Sequence, residues 1–439
     1  MLNKKNYFTI FSFFVISKLF IFFYLGIKPI DTFFHHWQLL DKELLQYDLL
    51  QSVFYLHTQP FLWNLLVGFL TKAFNGNEKH IVNFVLIYHI TLTWIVIILI
   101  NKIINFYDLT KLKIFFINLF VIFNPGIIFF ENQLIYAHTI FFLFSLSIYF
   151  IFNYFHKNQR KYLIYFYLSL LILTFIWSAF HPILFAIVFV ALELILKNNK
   201  KINRYLFIFF FTISLIPTLK NFIIFNTLSS SFLGYTLAMH AGTIHGCAMS
   251  PSPLLEGDEQ KYRNKLNSNI KNHPSFIGPL SKYNNIGMIY RSKICKTEAL
   301  NFIKKNSLTY IKTVSKEFMS FHGQWLVDFA IIEHPKNWEK IYKITNKIQS
   351  QNNLKITRQI INFLFIFFIY FYFFKKVFFS NIKNNKKHSI LMTFILYAYI
   401  VAVGTFFSKY EGVRFMYAGY LIVVLFLVEI FSSKKSRSF

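Results

Sequence analysis

Long apolar runs alternate with short polar segments along the chain, and the runs are dominated by Phe, Leu and Ile. About 20 apolar residues in a helix span the roughly 30 Å hydrocarbon layer of a bilayer, with every backbone polar group satisfied inside the helix. The pattern therefore predicts an all-α membrane protein. The runs fall at 7–26, 60–74, 81–100, 114–130, 134–155, 162–180, 182–196, 204–225, 356–374, 388–407 and 413–431.

The second run, 60–74, is short and contains Asn64, Gly68 and Lys72. Short cytoplasmic loops of membrane proteins are enriched in Lys and Arg. If 60–74 does not cross the membrane, the cytoplasmic segments hold twenty Lys and Arg residues and one acid, Asp108. If it does cross, the most basic loops fall outside. The charges thus predict about ten spans, cytoplasmic termini, and 60–74 as a helix at the outer membrane face.

This topology divides the chain into three parts. Residues 1–225 form a transmembrane core of seven spans, residues 226–355 form a large extracytoplasmic loop, and residues 356–439 contain the last three spans. The first outer loop covers 27–80. Within it, 33–56 has apolar residues at helical spacing, which predicts an amphipathic helix lying in the membrane interface.

The net charge of +28 would suit a nucleic-acid-binding protein. Most of the basic residues, however, flank the apolar runs, where they set topology and meet anionic lipid head groups. We therefore expect membrane lipids and no nucleic acid as partners.

Both cysteines, Cys247 and Cys295, lie in the large outer loop. They are candidates for a disulfide in an oxidising compartment, or they are two unrelated thiols. The same Asn-rich loop contains no N-glycosylation sequon, which favours a bacterial plasma (inner) membrane over the endoplasmic reticulum.

Titratable and polar residues gather at the predicted outer ends of the spans, where such residues tend to be functional. They lie in four separate turns, so the topology places them at one depth on one side. They are Asp31, His57, Gln59, Glu131, Tyr136, His181, Glu411 and Arg414.

This arrangement suits an enzyme that acts on a lipid-linked substrate. Transfer from a glycosyl phosphate needs a carboxylate that takes the acceptor's proton or holds a metal, and a cation that neutralises the leaving phosphate. Asp31 is the candidate for the first role and Arg414 for the second. Simpler readings are open: Asp31 as a helix cap, Arg414 as an interfacial anchor paired with Glu411, and Glu131 as a solvated turn residue.

The chain resembles the GT-C-type membrane glycosyltransferases, which include protein mannosyltransferases and the lipid A aminoarabinose transferase. The resemblance rests on an acid shortly after the first span (Asp31), a His/Pro motif before a short helix (His57 to Leu62), an Asn-Pro pair before Glu131, and Arg414-Phe415 at the last span. A paired acidic motif in the first loop is absent, because Asp31 stands alone.

The resemblance implies an inverting transferase that moves a sugar from a polyprenyl-phosphate carrier to a lipid, glycan or protein acceptor at the outer face. It implies Asp31 and Glu131 as catalytic residues, and a possible divalent cation, Mg or Mn, held by Asp31. His57, Gln59, Tyr136, Glu411 and Arg414 would bind the donor phosphate or substrate. The alternatives are a transporter or flippase of lipid-linked saccharides and a non-catalytic membrane assembly protein.

Overall fold

The computed structural model describes residues 4–27, 29, 33–35, 38–196, 199–228, 230, 233–241, 273–276, 279–323, 352–379, 384–407 and 412–432. Within these residues the chain is helical and contains no strand. The all-α prediction is thus confirmed for this part of the chain.

Twelve helices precede the large loop. They are α1 (Lys4–Leu19), α2 (Lys42–Tyr47), α3 (Leu49–Phe54), α4 (Leu62–Ala73), α5 (Glu78–Ile104), α6 (Lys111–Ile122), α7 (Pro125–Gln133), α8 (Tyr136–Lys157), α9 (Arg160–Ile176), α10 (Ile183–Ile195), α11 (Lys200–Ser214) and α12 (Ile216–Phe225). A π-helical turn, Phe20–Tyr24, extends α1.

The described part of the large loop and the C-terminal region add seven helices. They are α13 (Leu233–Ala241), α14 (Ile286–Lys305), α15 (Ser307–Gly323), α16 (Asn352–Phe379), α17 (Asn384–Phe407), α18 (Gly412–Ala418) and α19 (Leu421–Ser432).

Among the described residues, five segments are long and apolar enough to cross a membrane, and α6 with α7 makes a sixth if this pair, bent by 42°, is one span. The five are Tyr7–Tyr24, Glu78–Ile104, Tyr136–Lys157, Lys200–Phe225 and Asn384–Phe406. Three further apolar helices, α4, α10 and α19, are shorter. At 1.5 Å per residue, the 12 residues of α4 extend about 18 Å. The ten spans and their orientation remain predictions.

Two predicted runs are broken by local chemistry. The run 114–130 bends between α6 and α7, where the Asn124 side chain caps α7 by accepting a hydrogen bond from the Ile127 N–H at 3.1 Å and Pro125 occupies the first turn. The run 413–431 divides into α18 and α19 at Gly419. A Cβ atom at Gly419 would lie 2.5 Å from the Tyr397 ring, so α18 approaches α17 closely there.

The segment 33–56 is not the single helix that its spacing predicts. It forms a 3₁₀ turn at Phe33–His35 and then α2 and α3, which are separated at Asp48. The Asp41 carboxylate starts α2 by accepting the Glu43 N–H at 2.9 Å, while the Asp48 backbone leaves the helical region. Leu45 is fully buried in the same core as α4, so this loop packs against protein.

The described part of the large loop has its own small apolar core. Tyr235 of α13 packs with Cys295 and Ala299 of α14. Gly234 makes this contact possible, because a Cβ atom there would lie 1.8 Å from the Ser292 carbonyl oxygen. Cys295 is disulfide-bonded, while its predicted partner Cys247 lies outside the described residues.

Candidate functional site

A cavity of about 360 Å³ lies between the first outer loop, the α9–α10 turn and α12, with further walls from α13, α17 and α18. The charge pattern predicts that these segments all lie at the outer membrane face. The side chains around the cavity that can bind a polar group include His57, Gln59, Ser178, His181, Thr218, Lys220, Asn221 and Thr236.

The first wall of the cavity is the segment 55–61, which has no regular secondary structure. Its conformation therefore depends on contacts with other elements. The Lys220 ammonium of α12 donates a hydrogen bond to the carbonyl oxygen of Leu56. The Ser178 hydroxyl of the α9–α10 turn donates to Oε1 of Gln59 at 3.2 Å.

His57 is fully buried and is held by the large loop. Its backbone N–H donates to Oδ1 of Asn284 at 3.0 Å, and its ring Nε2 lies 2.9 Å from the Asn284 carbonyl oxygen, so Nε2 carries the proton. Burial lowers the pKa of His57 to about 3, and the positive charge of Lys220 acts in the same direction. His57 is therefore neutral near pH 7, so any contact it makes with a donor phosphate is made without a positive charge.

The second wall is the turn between α9 and α10. The Tyr399 hydroxyl of α17 donates to the Ala179 carbonyl oxygen at 2.7 Å and accepts the His181 backbone N–H at 3.0 Å. The Trp177 ring packs on Phe415 of α18 at a centroid distance of 4.2 Å. The turn is thus fixed to two C-terminal helices that also line the cavity.

The third wall, α12, gives the cavity its charge. Lys220 contributes a half-buried ammonium, and its hydrogen bond to Leu56 goes to a neutral carbonyl. None of the described residues around the cavity is acidic. Beside Lys220, Oδ1 of Asn221 is buried and has no hydrogen-bond partner among the described residues. A ligand that carries an anionic group and hydroxyl donors would satisfy both side chains.

Glu131 belongs to a separate buried network. Its Oε2 lies 2.5 Å from Nζ of Lys18, and its Oε1 accepts a hydrogen bond from the Thr93 hydroxyl at 2.5 Å. The Glu131 carbonyl oxygen lies 3.1 Å from Nδ1 of His89. These contacts join α1, α5 and α7, so the carboxylate is neutralised within the helix bundle.

The network continues through His138 to α18. Nε2 of His138 lies 3.0 Å from the His89 carbonyl oxygen, so it carries the proton, and it also lies 3.0 Å from Oγ1 of Thr93. Nδ1 is then free to accept the Tyr417 O–H at 2.6 Å. A continuous chain of hydrogen bonds therefore runs from Tyr417 through His138 and Thr93 to Glu131.

The structure changes the predicted surroundings of Glu131. The sequence pattern placed Glu131 in a tight turn, but it lies inside α7 and is 1% exposed. The turn falls at Leu134, whose φ is +57°. Glu131 is not among the residues that line the cavity, and its burial contradicts the solvated-turn interpretation.

The other predicted site residues are scattered around the cavity. His57 and Gln59 line it, and Arg414 is half-buried in α18 next to the lining residue Phe415. Tyr136 is buried next to the lining residue Trp177, and the centroids of the two rings lie 5.6 Å apart. The structure does not describe Asp31 or Glu411.

Metal binding stays a prediction. The described residues contain no group of three or more His, Cys, Asp or Glu side chains that could hold a metal ion. Asp31, the predicted ligand, lies outside those residues.

Lys220 and Asn221 were not among the site residues predicted from the sequence. Lys220 is one of the few charges inside an apolar run, 204–225, and Asn221 follows it directly. A charged residue near the predicted outer end of a span was the signal that could have identified them.

No protein-family model, curated protein or solved structure matches this chain. The resemblance to the GT-C glycosyltransferases therefore rests on the sequence features alone.

Proposed function

We propose that this protein is a membrane glycosyltransferase that transfers a sugar from a polyprenyl-phosphate carrier to an acceptor at the outer membrane face. The observation that carries the proposal is the cavity, which contains Lys220 and no acidic side chain among its described lining residues. Such a cavity favours the phosphate of a lipid-linked donor. The orphan Oδ1 of Asn221 is an acceptor for a sugar hydroxyl.

The proposed reaction is a single displacement. The acceptor hydroxyl oxygen forms a bond to the anomeric carbon, while the bond from that carbon to the phosphate oxygen breaks. Asp31 takes the hydroxyl proton, and the phosphate leaves with the bonding electron pair. Lys220, with Arg414 from α18, offsets the charge that develops on the leaving phosphate.

The roles of two predicted residues change in this proposal. Glu131 holds the helices behind the cavity through Lys18, and it does not act on substrate. His57 shapes the wall as a neutral ring. Asp31 remains the proposed base on the resemblance to the GT-C glycosyltransferases.

The transporter alternative needs ionisable residues along a path through the bundle. The buried Lys18–Glu131 pair is ionisable, but it lies apart from the cavity and its charges compensate each other. The transferase is therefore the better supported of the two.

The test is turnover of polyprenyl-phosphate sugars by purified protein in nanodiscs. We expect Asp31→Asn to lower transfer by roughly a hundredfold or more while donor binding is retained, since a general base contributes about 10²–10⁴-fold. Asp41→Asn is the matched control, because Asp41 is an acid of the same loop that caps α2. Loss in both variants, or equal turnover in wild type and Asp31→Asn, would contradict the assignment of Asp31.

If wild type turns over no donor but moves lipid-linked saccharide between the leaflets of proteoliposomes, the protein is a flippase. If it does neither, the non-catalytic assembly role gains support.

A further inference from the structure

The large loop lines the cavity through α13, and a second described stretch of it contacts the wall segment 55–61 from behind. This stretch, which we call the strap, consists of residues 273–276 and 279–285. The strap itself is not among the residues that line the cavity. It lies behind His57, which does line it, so its effect on the cavity is exerted through the wall.

Asn284 makes most of the polar contacts between strap and wall. Its Oδ1 accepts the His57 backbone N–H at 3.0 Å, and its carbonyl oxygen accepts the His57 ring N–H at 2.9 Å. Its Nδ2 lies 3.4 Å from the Tyr55 carbonyl oxygen and 3.3 Å from that of Ser275. Asn284 thus joins both segments of the strap to Tyr55 and His57 of the wall.

Aromatic packing and a hydrogen-bond contact between His273 and Asp48 support the same junction. Phe276 is fully buried, and its ring lies 5.6 Å from Phe225 and 6.1 Å from the His57 ring. Nε2 of His273 lies 2.8 Å from Oδ2 of Asp48. The strap is therefore docked on the first outer loop at three independent points.

The wall needs this support because it is buried and irregular. A backbone segment without helical hydrogen bonds must find partners elsewhere. In the segment 55–61 the partners from other elements are Lys220 for the Leu56 carbonyl, Ser178 for the Gln59 side chain, and Asn284 for the His57 N–H. The first two belong to the membrane core, and only the third belongs to the large loop.

We propose that Asn284 is a positioning residue, through which the large loop holds the wall of the cavity at His57. The strap then acts on the cavity in addition to the direct lining by α13, and movement of the strap changes access to the cavity. This inference concerns the shape of the cavity, so it holds or fails independently of the proposed transferase activity.

The test measures access to the cavity by cysteine labelling. Thr218→Cys places a thiol on the α12 wall, and a small charged methanethiosulfonate reagent reports its exposure in the full-length protein in nanodiscs. The protein without Thr218→Cys gives the background labelling. We expect Asn284→Ala to raise the labelling rate by roughly tenfold, because the two side-chain hydrogen bonds to His57 and Tyr55 of the wall are lost.

Asn285→Ala is the matched control. Asn285 is the next residue of the strap, but its side chain caps α14 by accepting the Gly287 N–H at 2.8 Å. We expect this variant to label at the parental rate. Unchanged labelling in Asn284→Ala would overturn the proposal, and so would an equal increase in both variants, which would indicate general loosening of the loop.

Discussion

Nζ of Lys18 lies 2.5 Å from Oε2 of Glu131, and the two side chains are 8% and 1% exposed. The residues are 113 positions apart, so the pair links the first helix to the interior of the bundle. Much of the α1 surface is exposed in the isolated protein, since only 28% of the Tyr7–Tyr24 window is buried. This ion pair is therefore a main specific attachment of α1.

Removal of one partner should be strongly destabilising, because it leaves a buried charge without compensation. We expect Glu131→Gln or Lys18→Met to lower stability by about 3–5 kcal/mol, and the double variant to lose much less than the sum. Thermal unfolding of the four proteins in nanodiscs measures the coupling.

The exposed pair Lys42–Glu78 is the control for this cycle. Its atoms lie 3.0 Å apart, but the side chains are 33% and 54% exposed. We expect each single change there to cost less than about 1 kcal/mol. Equal losses at the two pairs would contradict the structural role of the Lys18–Glu131 contact.

The sequence alone predicts an all-α protein with membrane-spanning helices, but it does not predict the contacts at the candidate site. Apolar run length identifies membrane-spanning helices, because the requirement for internal backbone hydrogen bonds is local. The Lys18–Glu131 pair and the His57–Asn284 contact join residues more than a hundred positions apart. Nothing in the local pattern around any of these residues indicates its partner.

Contacts between distant residues also explain why the predicted helix 33–56 is interrupted. The spacing in 33–56 is helical on average, yet Asp48 interrupts the helix because α2 and α3 both pack on α4. The local pattern places Glu131 in a turn between two apolar runs, which predicts that its side chain lies near solvent. Its burial depends on contacts with two other helices, α1 and α5.

A second prediction concerns the positive charge of the cavity. We expect Lys220→Met to weaken binding of a polyprenyl-phosphate donor by roughly ten- to a hundredfold, since a hydrogen bond to a charged group contributes about 1.5–3 kcal/mol. Lys293→Met is the control, because Lys293 donates to the Phe225 carbonyl oxygen at 3.2 Å and does not line the cavity. Equilibrium binding of a labelled donor to nanodisc samples measures both. Donor binding unaffected by Lys220→Met would place the phosphate elsewhere.

A third prediction compares two glycines at close helix contacts. A Cβ atom at Gly234 would lie 1.8 Å from the Ser292 backbone oxygen, whereas at Gly68 the nearest atom, at 2.1 Å, is the end of the Leu49 side chain. Backbone cannot move without separating α13 from α14, but a leucine can change rotamer. We expect Gly234→Ala to cost about 1–3 kcal/mol.

Gly68→Ala should cost much less, because alanine also favours the helix by about 1 kcal/mol. Thermal unfolding compares the two variants with wild type. Equal tolerance of both substitutions would contradict the close approach of α13 to α14.

The last prediction is a pH dependence of stability that arises from His57. Its pKa is lowered from 6.5 to about 3 in the folded protein, mainly by burial. Between these values the unfolded chain binds a proton that the folded protein does not. The neutral ring therefore causes no loss of stability above about pH 6.5, and stability falls as the pH drops from there toward 3. At pH 5 the loss is about 2 kcal/mol.

His57→Gln tests this prediction because a glutamine amide can still donate to the Asn284 carbonyl oxygen but does not titrate. We expect wild type to lose more thermal stability than His57→Gln between pH 7 and pH 5, whatever their difference at pH 7. The neighbouring Asp48 and His273 are present in both proteins, so the comparison isolates the His57 ring. Parallel pH profiles would show that the His57 ring gains a proton without unfolding, and that the wall around it opens more easily than its contacts indicate.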